Sequence, residues 1–152
     1  MKFLYSSFLL IAILFSASTS VSAQSETELQ ELYQGVLKQI GLDSEVDGDG
    51  DVTFEYEEHS YFFEVNEDDT EFYRLVIPNI WPIESELERL SVLKAVNTVN
   101  MTKKVAKAYV VNDNVWIAVE LFINKPDEFI GQLERHLNVI EQSIELFVDE
   151  MQ

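Results

Sequence analysis

Apolar and polar positions alternate along this chain with two different periods, and the switches between them mark its elements. Residues 25–41 carry Leu29, Leu32, Tyr33, Val36, Leu37 and Ile40 at three- and four-residue spacing, the signature of an amphipathic helix. Ser25 or Thr27 can cap its start and Gly41 its end. A polar loop runs from Asp43 to Gly50. The period then drops to two. Val52, Phe54 and Tyr56 alternate with Thr53, Glu55 and Glu57. Tyr61, Phe63 and Val65 alternate with Phe62 and Glu64, and Tyr73, Leu75 and Ile77 alternate with Phe72, Arg74 and Val76. Alternation of this kind predicts three strands (51–58, 60–66, 70–78) with one buried and one wet face, and the short breaks between them suit antiparallel hairpins.

A second helix is expected over 83–100, opened by Pro82 and Glu84, with Leu87, Leu90, Leu93 and Val96 as its inner stripe. Trp81 falls in the loop before it. Two further strands, 104–112 and 115–124, meet at Asn112 to Asn114, and the second turns Val115, Ile117, Val119, Leu121 and Ile123 to one side. From Pro126 a last helix carries Ile130, Leu133, Leu137, Ile140, Ile144, Phe147 and Met151. The expected order is α-βββ-α-ββ-α, an α+β architecture with a five-strand antiparallel sheet and helices packed on one face. The opposite sheet face would show Phe62, Phe72 and Arg74 among acidic residues, with Trp116 out of phase with the apolar side of its strand. Exposed aromatics of this kind mark a partner-binding surface, and Trp81 and Trp116 are its largest candidate anchors; packing at the core edge is the plainer reading of both.

The first 23 residues change the picture. Lys2 is the only charged side chain before Glu26, an apolar run follows to Phe15, and small residues lead to Ala23. This reads as a secretory signal peptide cut before Gln24, leaving residues 24–152 as a single periplasmic or secreted domain. The run is shorter than the roughly 20 residues of a membrane span, so no stable anchor is expected after cleavage. The chain has no cysteine and must stand on its core alone. Its 10 Phe, 6 Tyr and 2 Trp supply that core and argue against disorder.

Charge restricts the partners. With 28 Asp and Glu against 10 Lys and Arg the net charge is −18, and loss of Lys2 makes it −19. Nucleic acid and anionic lipid would be repelled; cations and basic protein segments would be attracted. The loop Asp43-Ser44-Glu45-Val46-Asp47-Gly48-Asp49-Gly50-Asp51 places Asp47, Asp49 and Asp51 at alternate positions, as in a calcium loop. Counted from Asp47, Val52 stands where the sharp turn needs Gly; counted from Asp43, Phe54 stands where the last carboxylate belongs. The plainer reading is a turn whose Asp side chains satisfy its backbone, with calcium as the alternative.

Catalytic patterns are missing from the sequence. His59 and His136 are the only histidines, Ser60 beside His59 lacks the geometry of a nucleophile and base, and no cofactor is implied. Asn97 and Asn100 share one side of the second helix and read as amides that satisfy nearby backbone. Lys103, Lys104 and Lys107 form the only basic cluster after the signal, placed to favour a helix C-terminus or to meet acidic residues of a second copy.

The stretch Gly48 to Tyr56 (GDGDVTFEY), followed by Tyr61 to Val65 (YFFEV) and Asp68-Asp69, resembles the YbjN-like domain. So does Ala95 to Asn100 (AVNTVN) with Lys107 to Val110 (KAYV) and a long terminal helix. The resemblance covers about residues 25–150 and implies the type III secretion chaperone fold. It implies no catalytic residue, a loosely sensory or regulatory role, and small proteins that often dimerise and hold an extended segment of another protein. The export signal separates this chain from the cytosolic secretion chaperones, so the resemblance carries the fold and not the client. The expected function is a non-catalytic exported module binding a protein or peptide segment, with a calcium-responsive module as the alternative.

Overall fold

The computed structural model describes residues 24–152; the expected signal peptide lies outside the described residues. The first helix, α1 (Glu26–Gln39), starts on a capping box in which Ser25 and Glu28 each satisfy the other's backbone N–H. It ends where Gly41 takes φ +83 and its N–H returns to the Lys38 carbonyl. Leu29, Tyr33, Val36 and Leu37 are buried, while Ile40 at the fraying end is 54% exposed.

Six strands follow, not five. β1 (Ser44–Val46), β2 (Val52–Tyr56), β3 (His59–Phe63) and β4 (Phe72–Pro82) are joined by β5 (Ala106–Val111) and β6 (Asn114–Phe122). The sheet order is β1-β2-β3-β4-β6-β5, with every pairing antiparallel. β1 lies inside the stretch expected to be a polar loop. Its three residues are too few to show alternation, and it exists because Ser44 and Val46 pair with Phe54 and Val52 across a tight turn.

The second correction concerns β4, which runs on past Pro78. A bulge between Ile77 and Trp81 accommodates Pro78, which lacks an N–H, and pairing resumes at Trp81 with Val115. Trp81 is therefore a strand residue and not part of a loop.

The helix α2 (Glu86–Thr102), capped by Ser85, buries Val96 of the expected stripe but turns the three leucines of that stripe outward. Val92, Ala95, Val96 and Val99 are buried, whereas Leu87 is 80% exposed and Leu90 and Leu93 are about half exposed. The helix packs on α3 and β5, where Ala106 and Ala108 leave room only for close approach by small side chains. The last helix also starts later than expected. A short 3-10 turn (Ile130–Gln132) with Gly131 at its centre precedes α3 (Leu133–Met151), leaving Ile130 exposed.

Among the described residues the helices α1, α2 and α3 cover one sheet face, and a single core fills the space between. Phe63 stacks on Tyr33 at 4.7 Å, Tyr73 stacks on Phe129 at 4.9 Å, and Trp81 meets Phe147 edge-on at 5.8 Å. Burial of these aromatics, each worth several kcal/mol by area, stands in for absent disulfides. No helix among the described residues is long and apolar enough to cross a membrane.

Candidate functional site on the outer face of the sheet

The helix-free face of the sheet follows from the pairing register. Val76 on β4 lies beside Ala118 on β6, and both are fully buried although no helix covers them. Larger neighbours roof them over. Phe62 and Trp116 meet edge-to-face at 6.0 Å, and Trp116 meets Tyr109 at 6.3 Å. Farther along, Arg74 joins Glu64, donates from Nη2 to Tyr109 Oη at 2.6 Å, and places Nε 3.1 Å from Glu120 Oε1. That last contact is an ion pair without hydrogen-bond alignment, since Nε has no hydrogen-bond partner. Burial works against the Arg74 charge, but the hydrogen bonds to Glu64 and Tyr109 and the Glu64 charge outweigh it and hold the guanidinium protonated. Lys107 closes the network on Glu120 at 2.9 Å. At the far end Phe72 and Phe122 pair at 5.6 Å, with Phe122 86% exposed.

The turn between β1 and β2 curls toward this face. Asp47 Oδ1 accepts from the N–H groups of Asp49 (2.9 Å) and Asp51 (3.0 Å), so its carboxylate serves the backbone. Asp51 Oδ1 accepts from the Val65 N–H at 2.9 Å, pinning the turn to the end of β3. Gly50, at φ +92, turns its carbonyl to the Gln30 side chain of α1 at 2.9 Å. Burial pushes the Asp51 carboxyl up from its ordinary value; Asp47, Glu64 and Asp49 add to this, against the Val65 N–H. The strand that begins at Val52 carries Glu58 to the opposite end of β2, away from Asp47. Among the described residues no three acidic or histidine side chains form a set that could hold a metal ion.

The two groups singled out separately in the sequence meet here. A hollow of about 320 Å³ is lined by Asp47, Asp49 and Asp51 on one side and by Phe62 and Trp116 on the other. Its floor lies at the β4 bulge, where Pro78 and Asn79 rise out of the ladder. Asn79, in the left-handed region at φ 56, accepts from Trp116 Nε1 at 3.1 Å and fixes the indole. Phe72 and Arg74 share the face but do not line the hollow, and Arg74 is committed to its carboxylates. Trp81 is not on this face: it packs under the helices and donates from Nε1 to Glu88 Oε1 at 2.9 Å.

Sequence reasoning did not single out Asn79, Tyr109, Glu120 or Phe122. Tyr109, Glu120 and Phe122 could have been found from strand alternation, Tyr109 in phase with Lys107, and Glu120 and Phe122 in phase with Trp116. The signal for Asn79 is Pro78 before it, since a proline in a strand is confined to edges and bulges, but the alternation reads as ending there and the resumption of pairing at Trp81 is a tertiary feature. The reading of Asn100 as a backbone-satisfying amide holds: it donates to and accepts from Ala108 at 2.9 and 2.8 Å. Asn97 instead is exposed and contacts only Met101 sulfur at 3.1 Å.

Solved structures that share this fold include the following three. YbjN from E. coli, described as "a putative transcription regulator", is 10% identical with a TM-score of 0.54, over 75% of this chain and 87% of that one. The Yersinia pestis type III secretion chaperone SycH, solved in complex with a stable fragment of YscM2, is 15% identical with a TM-score of 0.51, over 78% and 98%. An uncharacterized protein from Methanothermobacter thermautotrophicus is 12% identical with a TM-score of 0.52, over 82% and 99%. At such identities the likeness is one of fold. No curated protein sequence matches the chain. Residues 31–152, from the second turn of α1 to the C-terminal residue, match the YbjN family, described as "putative bacterial sensory transduction regulator", and the chain belongs to that family.

Proposed function

We propose that this chain is a non-catalytic, exported binding module that seats a cationic side chain of a protein or peptide partner in the hollow beside Trp116. The observation that carries this reading is the convergence of three carboxylates and two aromatic rings on one hollow of about 320 Å³. A lysine or arginine entering it meets negative charge on one wall and ring faces on the other, while its methylenes lie on Phe62. The net charge of −18 steers basic segments toward the whole molecule. The SycH structure, which holds a protein fragment, supports protein binding as a use of this fold. A second copy is a further partner in this reading, with the exposed leucines of α2 as its contact.

The test is a titration with a short arginine-containing peptide, read by indole fluorescence and by amide shifts. The fluorescence change should survive Trp81→Phe and vanish in Trp116→Phe, and Asp49→Asn should weaken binding about two- to fivefold, the scale of one lost exposed charge contact. Asp49 suits this purpose because its side chain makes no hydrogen bond among those that build the turn. Calcium chloride producing the same shifts, with the peptide producing none, would assign the hollow to the metal. Peptide shifts confined to other surfaces would discard the site.

A further inference from the structure

The helix side of the molecule carries a second hollow of opposite character. It lies between the last turn of α2 and the first turns of α3, over the end of β6, with a volume of about 510 Å³. Lys103, Lys104 and Arg135 line it. The chain has ten lysines and arginines against 28 carboxylates, yet three of the ten gather here and no carboxylate lines the space. Of the other basic residues, Arg74, Arg89 and Lys107 sit in ion pairs, while Lys38, Lys94 and Lys125 are scattered singly along the chain. Among the described residues none of the three at this hollow does so; Lys103 only reaches Gln142 Oε1 at 3.4 Å. In a molecule this acidic, uncompensated positive charge in one concavity is a local reversal of field with a preference for anions.

The interior of the hollow is built differently from its rim. Val105, Leu121 and Val139 supply apolar wall, and His136 lies among them, only 3% exposed. The His136 ring is fixed by one hydrogen bond, Nδ1 to Tyr73 Oη at 3.2 Å, which leaves Nε2 without a protein partner among the described residues. Burial, and secondarily the Arg135 charge, push the imidazole pKa down and favour the neutral ring. In the tautomer in which Tyr73 donates to Nδ1, the neutral ring carries its proton on Nε2, a donor for an incoming oxygen. Val105 reaches the rim in a left-handed backbone conformation, φ 61, and is half exposed. A β-branched residue rarely adopts that conformation.

We infer that this hollow binds a small organic anion, a carboxylate with a short apolar body, held by Lys104 and Arg135 with its body against Leu121 and Val139. The pairing of basic rim and apolar wall decides the class. An inorganic anion would use the cations and leave the wall wet; a neutral apolar molecule would leave the cations unanswered. The inference is independent of the peptide-binding reading, because the two hollows lie on opposite faces of the sheet and share no residue.

Hexanoate, hexanol and inorganic phosphate titrated into the purified chain, followed by amide and imidazole NMR shifts, test it. Hexanoate should shift Val105, Gln132, Val139 and the His136 ring, with hexanol and phosphate each at least tenfold weaker. The double substitution Lys104→Gln/Arg135→Gln should weaken hexanoate at least tenfold. Both side chains are exposed, so the rest of the spectrum should stay unchanged. Equal binding of hexanol would reduce the hollow to an apolar crevice, and equal binding of phosphate would reduce it to a generic anion patch. Either result, or hexanoate shifts elsewhere, overturns the proposal.

Discussion

Asp51 shows how one residue serves the turn and burdens it at once. Its Oδ1 accepts the Val65 N–H, a bond that ties the β1–β2 turn to the sheet. Yet burial disfavours its charge, and Asp47, Glu64 and Asp49 repel it. An amide would keep the acceptor and remove the repulsion. Asp51→Asn is therefore expected to stabilise the fold at pH 7 by roughly 0.5 kcal/mol, a figure kept small because solvent screens a half-exposed group. The sign of the pH dependence follows from the raised pKa. The folded chain binds this proton more tightly than the unfolded chain, so the penalty is present above the folded pKa and fades as pH falls through it. Urea midpoints of the two proteins should thus differ at pH 7 and converge on approach to pH 4. Equal midpoints at pH 7 would show that the carboxylates do not repel. Under the proposed function, this cost is a trade of stability for binding at the site where the three acids converge.

At the scale of elements, strand alternation carried most of the fold and the helices carried less. The buried sets of β2, β3, β4 and β6 were legible because period two leaves no ambiguity about which residues share a face. α2 was not, because it is apolar on two faces. Leu87, Leu90 and Leu93 gave the stronger pattern, but Val92, Ala95, Val96 and Val99 are small enough to fit against β5 and α3. β1 escaped notice because three residues cannot declare a period. The aspartate turn and the Phe62–Trp116 pair were each visible in the sequence, but their meeting depends on a bulge at Pro78 and a hairpin that curls over the face.

The leucines left outside on α2 have a consequence for assembly. Leu87, Leu90 and Leu93 run along one side of the helix, with Met101 exposed at its end. If a second copy covers them, Leu87→Asp/Leu90→Asp should yield a monomer in sedimentation with unchanged circular dichroism, since neither side chain touches the core. A wild-type chain that sediments as a monomer at tens of micromolar would remove the second copy from the set of partners.

At the scale of the whole molecule, the charge opposes the fold it solubilises. A net −18 on a chain of 152 residues loads the compact state with self-repulsion that the expanded chain partly escapes. Local attractions work the other way: Arg74 with Glu64 and Glu120, Lys107 with Glu120, and Arg89 with Asp113. Salt distinguishes the two contributions by range. The Debye length shrinks from about 30 Å at 0.01 M to about 8 Å at 0.15 M, which removes long-range repulsion across the domain but leaves contacts of about 3 Å largely intact. The partly buried Arg74 network is screened least, and the exposed pairs were worth little at the outset. The melting temperature should therefore rise by several degrees as sodium chloride goes from 10 to 200 mM at pH 7, an effect of order 1 kcal/mol for a domain of this size. Binding at the acidic hollow should weaken over the same range, because the field that steers a basic partner is the one being screened. A melting temperature that falls with salt would mean that local ion pairs outweigh the net charge. The acidic surface would then be part of what holds the fold together, and steering of basic partners would no longer account for its composition.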